Sequence, residues 1–388
     1  MPGDTVELVA QCLCKAHKYT ASVPASSLPL SVTCCHCDSC RHATGAMYLP
    51  DTAWPNKEED LSALEKYSFS PNIDEFFCKS CGTRMFDRGT KPGSAPAVIT
   101  GVLQNEPNLL RYEKHIFVAD TRDGGASMWL RKSHPEGNAV KRFTRRDAPG
   151  NELPTDWPSD FELPDATATA GPEFTPLYCH CRGVNLLLKG AADLAGPPPQ
   201  KVPFYVDPKS YKYLASFDAC DSCRISIGAD MTLWTFASLT HIGFPAAEQA
   251  STTSKSFESL PQTTFDLKAA VASETRDPRL GTLEFYQSSP DVERYFCSRC
   301  AATVFYAVHE RPNIVDIAIG LLDHPSGSRA EGLLHWSLGT AGHLDDVEGG
   351  WREHFFNGVK EEAEQWRIER GYPKTARRIK LESGDTSM

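Results

Sequence analysis

Cys12-Leu13-Cys14, Cys35-His36-Cys37-Asp38-Ser39-Cys40 and Cys78-Lys79-Ser80-Cys81 form one series of closely spaced thiols. Cys179-His180-Cys181, Asp218-Ala219-Cys220-Asp221-Ser222-Cys223 and Cys297-Ser298-Arg299-Cys300 form a second. Thirteen of the 14 cysteines fall in these clusters, and Cys34 alone stands outside them. Two sulfurs a few residues apart can occupy two corners of one metal tetrahedron, which is how a chain grips zinc. The pattern predicts two metal-dependent domains in tandem.

The repetition extends beyond cysteine. Leu64-Glu65-Lys66-Tyr67, Ser70-Pro71 and Phe76-Phe77-Cys78 correspond to Leu283-Glu284-Phe285-Tyr286, Ser289-Pro290 and Tyr295-Phe296-Cys297 at a constant shift of 219 positions. Ile99-Thr100-Gly101-Val102-Leu103 meets Ala318-Ile319-Gly320-Leu321-Leu322 near the same shift, and His115 and His335 follow one residue out of step, as matching places. Duplication accounts for this far better than chance. The expected division is a first zinc domain over 1–146, a linker over 147–173, a second and enlarged domain over 174–372, and a tail over 373–388. The linker is rich in Pro, Asp, Ala, Thr and Gly, a composition that builds no packed core. The second copy gains residues near Gly196-Pro197-Pro198-Pro199 and between Met231 and Leu283, with a surface loop expected from Glu248 to Thr264.

Short apolar segments bounded by Gly, Pro, Asn or Asp predict a mainly β fold: Ala97–Val102, Ile116–Ala119, Val184–Leu188 and Ile314–Leu322. Helical periodicity is scarce. The best candidate is Trp351 to Arg370, expected to pack on the second domain through Trp351, Phe355, Val359 and Trp366.

The chain has 388 residues and a net charge of -10. That balance argues against a nucleic-acid partner, and the basic stretches Lys141 to Arg146 and Lys374 to Lys380 read as solvated surface. No run approaches the about 18 apolar residues of a membrane span, and no secretory signal is visible. A cytoplasmic location is expected, where clustered thiols are metal ligands rather than disulfides. The oligomeric state is not legible.

Ligand count separates closed zinc sites, with four protein ligands, from reactive ones with an open position. In the first copy the outer pairs Cys12/Cys14 and Cys78/Cys81 make a natural structural quartet, leaving Cys35, Cys37 and Cys40 for a second zinc with a vacancy. Spacing alone leaves the opposite partition open. The order C-x-C, C-H-C-x-x-C-R, F-C-x-x-C-G resembles the glutathione-dependent formaldehyde-activating enzyme (GFA) family, also called the CENP-V/GFA domain family. The carrying residues are Cys12-Leu13-Cys14, Cys35 to Arg41, Phe77 to Gly82 and Lys114-His115-Ile116-Phe117-Val118. The resemblance covers about residues 7 to 135 and, more weakly, about 175 to 345.

The resemblance implies a zinc-stapled, β-tent-like sheet assembly, structural outer pairs and a catalytic central triplet of Cys35, Cys37 and Cys40. It also implies carbon–sulfur lyase-type chemistry joining glutathione to formaldehyde as S-(hydroxymethyl)glutathione. Zinc lowers the pKa of a sulfur that enters its open position, and a thiol attacks a carbonyl as thiolate. Arg41 and Arg224 follow the central clusters; Arg41 could pair with a glutathione carboxylate or bond nearby backbone carbonyls. Cys34 reads as a buried free thiol, and His36 and His115 as structural.

In the second copy the quartet Cys179, Cys181, Cys297 and Cys300 is complete, but Asp218 stands where the first copy has Cys35. Asp218, Cys220 and Cys223 could still hold zinc, with altered affinity. Ala301 replaces the family's glycine. The second copy is expected to fold on its structural zinc with its central chemistry lost or altered. Two rival readings keep the zinc: one takes a larger metabolite or thioether as substrate, and one is a non-catalytic zinc-stabilised binding module.

Overall fold

A computed structural model describes residues 4–132, 139–154, 157–158, 171–194, 202–245 and 257–383. Most of the expected linker, Pro197 and its neighbours, and the start of the expected 248–264 loop lie outside these residues.

The fold is mainly β, as the short bounded apolar segments require. The first half contributes β1 (Thr5–Gln11), β2 (Lys18–Pro24), β3 (Leu30–Cys35), β4 (Leu49–Ala53), β5 (Glu65–Ser70), β6 (Ile73–Phe77), β7 (Arg84–Gly89), β8 (Pro96–Ile99), β9 (Leu110–Ile116) and β10 (Lys141–Arg142). The second contributes β11 (Phe174–Tyr178), β12 (Asn185–Lys189), β13 (Tyr213–Asp218), β14 (Thr232–Ser238), β15 (Ile242–Phe244), β16 (Glu258–Ser259), β17 (Leu283–Ser289), β18 (Val292–Cys297), β19 (Thr303–Val308), β20 (Ile314–Ala318) and β21 (Leu334–Gly342). An eight-stranded sheet runs β10-β9-β3-β4-β8-β7-β6-β5, and a seven-stranded one runs β17-β18-β19-β20-β14-β13-β21. Read from β5 and from β17, the two sheets follow the same order. Each has a parallel pair at the equivalent place, β3 with β9 and β13 with β21, and in the first sheet β10 adds a second by running parallel to β9. The hairpin β1-β2 and the small sheet β11-β12-β15-β16 stand beside them.

Two of the expected strands end early. Ala97–Val102 and Ile314–Leu322 leave their sheets after Ile99 and Ala318 and turn through one 3-10 turn each. The reason is tertiary. A Cβ on Gly101 would overlap the backbone of Gly228, and one on Gly320 would overlap that of Ala46, so each turn presents a bare backbone to the other half. Ile116–Ala119 likewise divides, with Ile116 closing β9 and the rest turning at Val118–Thr121.

Short helices follow the central cysteine clusters: α1 (Asp38–Thr44) and α2 (Asp221–Ile227), each closed by a left-handed glycine, Gly45 and Gly228. Neither is long enough to show periodicity. A third, α3 (Thr264–Ala272), is capped by the Thr263 side chain. The C-terminal helix α4 spans Trp351–Glu369. It lies against β21 as expected, but it also covers the first half, where Phe355 stacks on Tyr112 at 4.8 Å. The expected tail carries α5 (Ala376–Glu382), where Arg378 donates to Leu338 O at 2.6 Å.

The halves are interlocked reciprocally. Arg41 on α1 is 4% exposed and donates to Gly320 O and Leu322 O of the second half at 3.2 and 3.3 Å. Arg224 on α2 is also 4% exposed and donates to Gly101 O and Leu103 O of the first half, each at 2.7 Å. A single apolar core runs through both halves, with Trp129 packed on Trp336 at 4.7 Å. Replacing Arg41 or Arg224 by Met leaves two buried carbonyls unpaired. Each variant is expected to lose about 3 kcal/mol of stability, read as a lower urea midpoint at unchanged zinc content.

Candidate metal centres

Three groups of cysteines converge among the described residues: Cys12, Cys14, Cys78 and Cys81; Cys179, Cys181, Cys297 and Cys300; and Cys35, Cys37 and Cys40. In each group the sulfurs lie within 4.8 Å of one another. Neighbouring sulfurs are 3.5–3.6 Å apart in all three. A tetrahedral zinc with bonds of about 2.3 Å sets its sulfurs about 3.8 Å apart, so the donor type and spacing both fit that ion.

Each quartet joins the start of a half to the turn after β6 or β18. These turns need a left-handed residue after the last cysteine. Gly82 supplies it at φ 71°, and Ala301 adopts the same conformation at φ 58°, so the loss of glycine leaves the second turn intact.

The central triplet is built differently. Cys35 ends β3, Cys37 is the N-cap of α1 and accepts from Cys40 N at 3.3 Å, and Cys40 lies in the first turn. Cys37 is drawn down to about 3 because the Cys35 and Cys40 thiols hydrogen-bond to its sulfur, while Cys35 and Cys40 are pushed up. Three thiols this close cannot all carry charge unless a cation joins them. Cys35 and Cys37 are part-exposed and Cys40 is buried, whereas each quartet has one part-exposed cysteine.

The rim of this centre was not legible in the sequence. Phe69 of β5 packs on the cluster containing Cys40. Its ring stacks on His180, a second-half residue held between two quartet cysteines, at 4.7 Å. His180 Nδ1 bonds Tyr67 Oη at 2.6 Å, and its backbone N–H donates to His42 O on α1 at 2.8 Å. Burial, then the nearby Arg84 guanidinium, lower the His180 pKa, against an opposing pull from Cys37. The corresponding place in the first half is Leu13, so no repeat signal marks His180.

The remaining candidates are spread elsewhere. Arg41 is committed to Asp38 and to carbonyls across the interface, so it is not directed at a ligand carboxylate. His36 points into the core, bonding His115 at 3.0 Å, and His115 bonds Leu130 O at 3.0 Å. Cys34 is fully buried in the core. His335 does not match His115. The parallel pairing sets His335 opposite Leu214 but His115 opposite Cys34, and the β-bulge in each pair lies between those positions. Leu214 corresponds to Ser31 and Cys34 to Phe217, so the two histidines occupy different sites.

In the second half, Asp218 is held by three donors: His343 Nδ1 at 2.9 Å, Trp234 Nε1 at 3.1 Å and Cys220 N at 3.1 Å. Arg294 stands where the first half has Glu75. It is buried and reaches Cys223 Sγ at 3.5 Å, Ser222 Oγ at 2.8 Å and Ser288 Oγ at 3.2 Å. In the first half Glu75 pairs instead with Arg84.

The chain is thus a β-rich protein with three cysteine clusters that could each hold a metal ion. Residues 7–120, which contain the whole first cysteine series, match the family model described as glutathione-dependent formaldehyde-activating enzyme. The chain is similar to an uncharacterized lyase of Schizosaccharomyces pombe, at 29% identity over 119 residues covering 30% of this chain and 82% of the relative. No solved structure matches it. No helix of the described residues is long and apolar enough to cross a membrane.

Proposed function

We propose that this protein is a zinc-dependent carbon–sulfur lyase-type enzyme, built from two tandem copies of one unit, that joins a thiol such as glutathione to formaldehyde or a related electrophile. The observation that carries this reading is one open three-sulfur cluster beside two four-sulfur clusters, inside the stretch matching the family model. Two quartets serve as staples, and Cys35, Cys37 and Cys40 form the reactive centre. Zinc held there with one open position would lower the pKa of an incoming thiol.

The chain's own residues supply the rest. Addition of a thiol to formaldehyde forms a C–S bond, breaks the carbonyl π bond and moves the thiol proton to oxygen. Phe69 forms an apolar wall that limits water. His180 Nδ1 is paired with Tyr67 Oη at 2.6 Å; in the tautomer whose Nδ1 accepts, the ring proton is on Nε2, and we assign that N–H as the donor to the developing oxygen anion. Second-half residues thereby complete the first-half centre.

The test is formation of the hydroxymethyl thioether from glutathione and formaldehyde, followed by NMR and corrected for the uncatalysed reaction, with zinc counted by elemental analysis. A zinc-loaded protein that neither exceeds background nor binds glutathione would sink the reading. His180→Ala is expected to lower kcat about 10²-fold, with KM for the thiol little changed and zinc content unaltered. A change confined to KM would reassign His180 to binding alone.

A further inference from the structure

The second half keeps a pair of thiols in a setting that differs from the first centre at four matched places. Asp218 replaces Cys35, Arg294 replaces Glu75, Ser288 replaces Phe69, and His343 replaces Phe117, the two last-named residues sharing a left-handed backbone at φ 54° and 55°. Two of these changes work against a dication, the loss of a sulfur at Asp218 and the cation brought in by Arg294, and the other two supply partners for them: Ser288 for Arg294 and His343 for Asp218. The third sulfur is gone. The carboxylate that replaced it is occupied by His343, Trp234 and the Cys220 amide. A guanidinium lies 3.5 Å from Cys223 Sγ, fixed by Ser222, Ser288 and the face of Tyr306. The thiol pair already has its counter-charge from the protein.

What remains is Cys220-Asp221-Ser222-Cys223 at the start of α2, with Cys220 part-exposed and Cys223 buried behind it. Cys220 is the N-cap of α2 and Cys223 lies in its first turn. Cysteines at this spacing around a helix start can close an internal disulfide without moving the backbone far.

We propose that Cys220 and Cys223 are a metal-free dithiol that exchanges with small-molecule disulfides. The part-exposed Cys220 thiol attacks one sulfur of a disulfide RSSR; a mixed disulfide forms, and RS⁻ leaves and takes up a proton. Cys223 Sγ, facing Arg294, then attacks the Cys220 sulfur, closes the internal S–S bond and expels the second thiol. Dithiol and RSSR become protein disulfide and two RSH, with two electrons and two protons transferred. The proposal stands independently of the reaction assigned to the first centre.

The experiment uses the zinc-loaded full chain with hydroxyethyl disulfide as probe, alkylation of free thiols, and peptide mass spectrometry. An internal Cys220–Cys223 disulfide is expected, with zinc content unchanged. Cys223→Ser is expected to stop at a mixed disulfide on Cys220, and Arg294→Gln to slow closure about tenfold relative to the unaltered chain. The double variant Cys220→Ser, Cys223→Ser is expected to retain every zinc of the parent. Loss of one zinc equivalent from that variant would overturn the proposal, as would thiols that stay fully alkylatable after treatment with the probe.

Discussion

Chelation of zinc from the full chain, or replacement of Cys78 or Cys297 by Ser, is expected to unfold both halves in one transition. Binding of zinc to a structural site contributes about 10–16 kcal/mol in small zinc-dependent folds. A whole domain is stable by only about 5–15 kcal/mol, so loss of one staple can exceed the total. The sequence alone suggests that each half would fail separately. The structure indicates otherwise. Arg84 of the first half donates to Cys300 O beside the second quartet and to Ala43 O on α1, each at 2.5 Å. Loss of the second quartet therefore removes a buried partner of the arginine that also holds α1. Trp129 and Trp336 touch across the same junction, so tryptophan fluorescence in urea reports on it directly. Two separated transitions would show that the halves stand alone, and an unchanged midpoint in the serine variants would remove the quartets as staples.

Cys37→Ser is expected to abolish thiol addition while leaving the fold in place. Serine is as good an N-cap as a helix can have, so α1 should keep its first turn, where Cys37 now accepts from Cys40 N. The ligand is lost, but the quartets are untouched. Loss of even an outer partner of a metal ligand costs about 10–100-fold, so removal of the ligand itself should cost at least about 100-fold in kcat/KM. Elemental analysis should show one zinc fewer per chain, and circular dichroism should match the parent. A folded variant that keeps full activity above the uncatalysed rate would place the chemistry elsewhere. Alkylation provides a second readout: glutathione bound at the open position should protect Cys35, Cys37 and Cys40 in the parent protein.

The difference between what was and was not legible follows the range of each interaction. The cysteine pairs could be grouped from spacing because a two- or three-residue separation places two sulfurs on one side of a tight turn, whatever surrounds it. The C-terminal helix was legible because 19 residues are long enough for an apolar stripe to repeat. The seven-residue helices α1 and α2 were hidden because neither completes enough turns to show a period. Arg41 was ambiguous for a related reason. Its position after the cluster is local, but its partners Gly320 O and Leu322 O are some 280 positions away in the chain, set by how two sheets pack. The apparent pairing of His115 with His335 failed because the connection before the last parallel strand is longer in the second half, so that Leu110 corresponds to Leu334 rather than to a residue at the earlier shift, and the bulges then add to the difference.

By itself the sequence determined the closely spaced cysteine pairs and the central triplet, and the aspartate that breaks the second series, while the grouping of the outer pairs into quartets came with the fold. It also determined a β-rich chain, through short apolar segments between turn residues. Only the tertiary structure decided what surrounds those donors. It stacked His180 of one half on Phe69 beside the Cys35, Cys37 and Cys40 cluster of the other, turned Arg41 and Arg224 into mutual clasps, and placed Arg294 against Cys223. Ligand spacing is a property of a few consecutive residues, whereas charge compensation and the walls of a site depend on elements that meet only when both sheets have folded.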